Sequence, residues 1–191
     1  MNHPFFTKTK KELYESFNQN STSLNELFIL PAGFWELSLV SRKESVRQYL
    51  DSIFTINQSL IATITEVKND LYEGKINNSR DYYESDLQVV DVLVNIYSQF
   101  SIKVKIIGGQ ETEGLKEKVL QQLDELYSCI EHFPEDIATN VKSRPKVISK
   151  VSLDYYQLIY LAFTHTQSQI NNIQLIKNLS KLAKTPTVFL N

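Results

Sequence analysis

Val46-Arg-Gln-Tyr-Leu50-Asp-Ser-Ile53-Phe-Thr-Ile-Asn57-Gln-Ser-Leu60-Ile-Ala-Thr-Ile64-Thr-Glu-Val67-Lys-Asn-Asp-Leu71 is the stretch that decides the fold. Its numbered positions follow an unbroken 4-3-4-3 spacing, with Asn57 the one polar member. That period puts them on one face of a helix, and Phe54, Ile56 and Ile61 widen the face. The seam is expected to face a bundle core or a second chain.

The same reading extends along the chain. Leu115, Val119, Leu123, Leu126, Ile130 and Phe133 repeat the pattern, and Pro134 ends it. A last segment runs from a cap expected at Ser152 through Leu153, Tyr156, Tyr160, Phe163, Ile170, Ile173 and Leu175 to Leu182. Gly and Pro number five each, and the stretches 34–73, 75–107, 115–133 and 146–185 contain neither. Strands average about 5–6 residues, so such stretches argue for helices. The expected fold is all-α: four long helices near 44–73, 84–107, 114–133 and 152–184, with an N-terminal helical arm at 8–19. The whole chain, 1–191, is read as one helical-bundle domain, with arm and lid in 1–33, bundle in 34–185 and tail in 186–191. Residues 86–99 are apolar on nearly all sides, as a central helix would be. An α+β alternative rests on 101–107, where Ile102, Val104 and Ile106 alternate with polar residues, and on 146–151 and 187–190 as further strands.

Charge is uneven. The net charge is −2, yet residues 51–141 carry sixteen acids against seven bases, and residues 142–191 carry seven bases and only Asp154. The two halves either neutralise each other within the fold or leave a basic surface for an anionic partner. Lys142, Arg144, Lys146 and Lys150 gather before the final helix, beside Ser149 and Ser152. A helix N-terminus there would add N–H groups for a phosphate, and Tyr155 and Tyr156 could stack on bases. Lys177, Lys181 and Lys184 continue the basic character.

Residues 27–40 hold Phe28, Phe34 and Trp35 with Glu36 as their only charge. The run is too short to span a bilayer. It reads either as a lid over one end of the bundle or, through Phe34 and Trp35, as an exposed anchor for a protein partner.

Catalytic and metal patterns fail on named residues. Cys129 is the sole cysteine, so no disulfide can form within the chain. Three residues before His132 stands Cys129 and three before His165 stands Ala162, so the Glu-x-x-His pairs of di-metal bundles are missing. Cys129 and His132 could supply half a zinc site, although a buried thiol is the simpler reading. Gly109 and Gly114 have phosphate-loop spacing, but Leu115 stands where the lysine is needed and Glu111 and Glu113 would repel phosphate. His165 lies mid-helix without the neighbours of a phospho-accepting histidine. Glu131, Glu135 and Asp136 read as solvated acids around Pro134.

The expected function is therefore a non-enzymatic protein–protein interaction module, an adaptor or regulatory bundle without cofactors or metals. Nucleic-acid or polyanion binding through the 142–150 loop and final helix is the alternative. The N-terminus shows no secretory signal, so a cytoplasmic location is expected. A homodimer is expected too, because the 44–73 and 152–184 helices outrun 114–133 by about 15 Å at the helical rise. Asn57 would fix register in such a pair, or bond within the chain.

Overall fold

A computed structural model describes residues 4–37, 44–75, 85–99, 112–148 and 150–182. Five long helices form a bundle: α1 (Pro4–Phe28), α2 (Val46–Tyr72), α3 (Gln88–Gln99), α4 (Thr112–His132) and α6 (Tyr155–Leu182). A single turn, α5 (Glu135–Ala138), follows α4. Two strands of two residues each, β1 (Lys142–Ser143) and β2 (Leu153–Asp154), pair antiparallel before α6.

The decisive seam lies inside one chain. Val46, Leu50, Ile53, Asn57, Leu60, Ile64 and Val67 are all buried, against α4 and α6. Complete burial of such an aliphatic side chain contributes about 1.5–3 kcal/mol. Local chemistry sets both ends of α2. Ser45 accepts from the Gln48 N–H while the Gln48 side chain accepts from the Ser45 N–H, a reciprocal cap. At the other end Gly74 takes φ +70°, and Lys75 N–H reaches the Asp70 carbonyl at 2.9 Å. Asn57 donates to the Thr166 hydroxyl at 3.3 Å, so its polar partner is intramolecular.

α1 is longer than the expected arm at 8–19 and belongs to the bundle. Leu13, Leu24 and Leu27 are buried, and Asn20 between them donates to the Phe163 carbonyl at 2.9 Å. α1 runs antiparallel to α4: Phe17 meets Tyr127 near one end, and Phe28 receives Lys116 near the other.

The central helix is α6, not the 84–107 segment. Tyr155, Tyr156, Leu158, Ile159, Ala162 and Phe163 are fully buried on all sides, and α6 touches α1, α2, α3 and α4. α3 is described over 88–99; the rest of the expected 84–107 helix, at 84 and 100–107, lies outside the described residues. It packs on α6, with Leu87 and Val90 inward and Val89 and Val92 exposed. The sheet alternative fails where it can be seen, since Lys146–Ile148 is a 3-10 turn. Its segments 101–107 and 187–190 lie outside the described residues, as does the tail from 183. No helix among the described residues is long and apolar enough to cross a membrane.

Candidate functional site

The basic approach to α6 is built from an extended segment and a turn. Lys142, Arg144 and Lys146 are exposed, Ser143 is half-buried and Pro145 is buried. Alternation in extended backbone sends Lys142 and Arg144 to one side, and Lys146 opens the 3-10 turn that follows. Ile148 then turns inward, and Lys150 is exposed beyond it. These four cations share one exposed connection, as their sequence spacing suggests.

Two other parts of the expected phosphate site are not there. Ser152 is exposed and outside the helix; Asp154 caps α6 instead. The Asp154 carboxylate accepts the Gln157 N–H at 2.8 Å, and the Gln157 side chain accepts the Asp154 N–H at 3.0 Å. A carboxyl group of the protein's own thus occupies the helix N-terminus, where an external anion would have sat. Tyr155 and Tyr156 are fully buried and cannot stack on bases. Tyr155 instead stacks on Phe133, with centroids 3.7 Å apart and planes 11° from parallel.

Asp154 is the most heavily bonded carboxylate of the structure's described part. Ser85 donates to its two oxygens at 3.0 and 2.9 Å, and Lys142 is its neighbour across the ladder. Burial nevertheless dominates and pushes the carboxyl up to about 6, against the lowering by Gln157, Ser85 and Lys142.

Phe34 and Trp35 face inward, so they are not an exposed anchor. Trp35 is 1% exposed and packs against Phe28 and Phe34. Lys116 is buried with them. Its ammonium lies 4.7 Å from the Trp35 ring centroid, donates to the Phe28 carbonyl at 3.1 Å, and pairs with Glu113 at 2.6 Å. The cation is satisfied by a carbonyl, a carboxylate and an aromatic face together. The segment is described through Leu37, while 38–43 lie outside the described residues.

His165 is buried, and its Nε2 lies 3.3 Å from the Ser52 hydroxyl. Burial pushes its pKa down to about 4, so the ring is neutral at physiological pH. Cys129 is buried beside Tyr155, and burial pushes the thiol up, away from nucleophilic character. His132 turns its Nδ1 to the Ser128 carbonyl at 2.8 Å. No group of three or more metal-ligating side chains exists among the described residues. The Gly109 part of the phosphate-loop resemblance lies outside the described residues; Gly114 and Leu115 belong to α4.

Leu175 and Leu179 are each 42% exposed, one turn apart on the outer side of α6. Their stripe also carries Asn171, Asn172 and Asn178, and no charge. At 100° per residue it continues the line of Tyr160 and Thr164, and α3 meets Tyr160 farther back. The covering contact is Tyr160 against Asp91. The sequence marks Leu175 as a core residue of the last helix, and this exposed pair is what that reading missed.

No protein family matches the chain, and no curated protein does. Among solved structures, the crystal structure of an uncharacterized protein from Clostridium difficile 630 is similar, with a TM-score of 0.50 and 10% identity. The match covers 94% of this chain and 99% of that one. It supports the helical-bundle fold and nothing finer.

Proposed function

We propose that the protein is a non-enzymatic interaction module that receives an uncharged, apolar helix face of a partner protein on the outer side of α6. The observation that carries this reading is the Leu175–Leu179 pair, exposed on a stripe otherwise made of asparagines. Helix-in-groove recognition uses apolar anchors at this spacing, and a stripe without charge discriminates against charged faces by leaving their ions desolvated. Phe34 and Trp35 act in this reading from within, by holding one end of the bundle shut.

A photo-crosslinking residue at Leu179 in the full chain tests the reading in the native cell, with the same residue at exposed Glu117 as control. The expected result is a discrete protein adduct from 179, absent from 117, that Leu175→Lys abolishes. An adduct of twice the 22.1 kDa chain would instead identify a homodimer through this stripe. Equal labelling from both sites would overturn the reading.

The alternative, polyanion binding, keeps one supporting observation: Lys142, Arg144, Lys146 and Lys150 are exposed. Its helix terminus and its tyrosines are committed elsewhere.

A further inference from the structure

The start of α3 is tied to the start of α6 by a small polar cluster. Ser85 donates to both oxygens of Asp154, and Gln157 Nε2 donates to the Asp86 carbonyl at 2.8 Å. Asp86 in turn caps α3 by accepting the Gln88 N–H at 3.0 Å. Farther along, Tyr160 of α6 meets Asp91 of α3. Asp154 is left 4% exposed beneath this cover. Among the α3 segment's described side chains, Leu87 and Val90 are buried hydrophobics, and Leu93 and Val94 pack partly buried against the core. Segments with few buried contacts open at a low free-energy cost.

We propose that the segment bearing α3 is a proton-linked flap, closed over Asp154 when that carboxyl is protonated and inclined to lift from α6 when it is ionised.

The sign follows from what the cover does to the carboxylate. Closing removes Asp154 from water, which penalises the charged form. Four groups act the other way: the Lys142 ammonium from β1, the Ser85 hydroxyl, and the backbone N–H groups of Tyr156 and Gln157. Asp86 is exposed at the edge of the cluster and adds a like charge near the same corner. Desolvation exceeds the favourable contributions, since the carboxyl stands at about 6 rather than 3.8. The closed state therefore binds the proton more tightly than an open state in which water reaches Asp154. By linkage, ionisation shifts the equilibrium toward opening. The protonated form keeps the latch: one oxygen accepts the Gln157 N–H, and the other, now O–H, donates to Ser85 Oγ. Lifting α3 would uncover Tyr160 and lengthen the stripe that carries Leu175 and Leu179. That consequence rests on the interaction reading; the flap itself does not.

Amide hydrogen exchange on the full chain tests the flap. Protection of residues 88–94, corrected for the intrinsic rate and referenced to α2 and α4, is followed from about pH 5 to about pH 7.5. The expected result is a loss of α3 protection, up to roughly tenfold across that range if Asp154 becomes fully hydrated on opening, with α2 and α4 steady. Asp154→Asn preserves the cap and a donor to Ser85 but cannot ionise, so its α3 protection should be flat. Lys142→Ala should move the wild-type midpoint to higher pH. Flat protection in the wild type, or an unaltered slope in Asp154→Asn, would overturn the proposal.

Discussion

Asn57 and Thr166 face each other across the α2–α6 contact at 3.3 Å, and both are fully buried. The polar break in the seam thus finds its partner within the chain. The α2 seam is covered within one bundle, whereas Leu175 of the last helix's seam is exposed.

Removing one side of that pair leaves the other stranded. Asn57→Ala should cost about 2–4 kcal/mol, from a small cavity and an unpartnered buried hydroxyl. Replacing both, as Asn57→Leu with Thr166→Val, should stay within about 1 kcal/mol of wild type. Urea unfolding of the three proteins checks this, and light scattering should give all of them the same mass.

Trp35 gives a second expectation. Its truncation to Ala should cost about 3–5 kcal/mol, because a fully buried indole is lost and Lys116 loses its aromatic face. Trp35→Phe should recover more than half of that. Thermal unfolding monitored by circular dichroism separates this from a surface anchor, whose truncation would leave stability nearly unchanged.

Two buried groups make opposing contributions to the pH dependence of stability. His165 is lowered to about 4 from 6.5, so its contribution is full above pH 6.5 and is lost as pH falls toward about 4. Asp154 is raised to about 6 from 3.8, so its contribution is full below pH 3.8 and is lost as pH rises through about 6. Each spans on the order of 3 kcal/mol, and between about pH 4 and 6 they offset one another. Wild-type stability should be nearly level there. Asp154→Asn should reveal the histidine slope, with stability falling on acidification, as read from denaturant midpoints against pH.

The basic strip yields a fourth test. Changing Lys142, Arg144, Lys146 and Lys150 together to Gln should leave the fold intact, since exposed charges contribute about 1 kcal/mol or less each. If wild type binds duplex DNA, its log K should fall with log salt at a slope near −0.9 per phosphate contacted, and that variant should lose the binding. No binding at about 50 mM salt by wild type would retire the polyanion alternative.

Much of the bundle was legible because α2 and α4 obey one rule: apolar residues at steps of four and three, closed by Gly74 or Pro134. α1 obeys it as well, through Leu13, Phe17, Asn20, Leu24 and Leu27. The polar run around Asn20 hides it, because a buried amide that bonds a distant carbonyl looks the same in sequence as a loop residue. The cap of α6 was missed for a related reason. Ser152 has the right residue type, but Asp154 and Gln157 stand at the spacing for reciprocal bonding, and that pair decides where the helix starts. α3 misled in the opposite direction. Apolar residues all round suggest a central position, yet Val89 and Val92 face outward. Whether Lys142 and its neighbours meet a ligand is a property of a partner, and side-chain spacing alone does not contain it.

The Asn20–Phe163 bond joins residues 143 positions apart. At a ribosomal rate of about 5–20 residues per second, α1 waits roughly 7–30 s before its carbonyl partner is even made. Throughout that interval its Leu13, Leu24 and Leu27 have no α6 to cover them. Until α6 emerges, the side of α1 that α6 will cover stays open to solvent. Ribosomes stalled before residue 155 should carry an α1 that proteases cut readily, whereas the finished chain resists them.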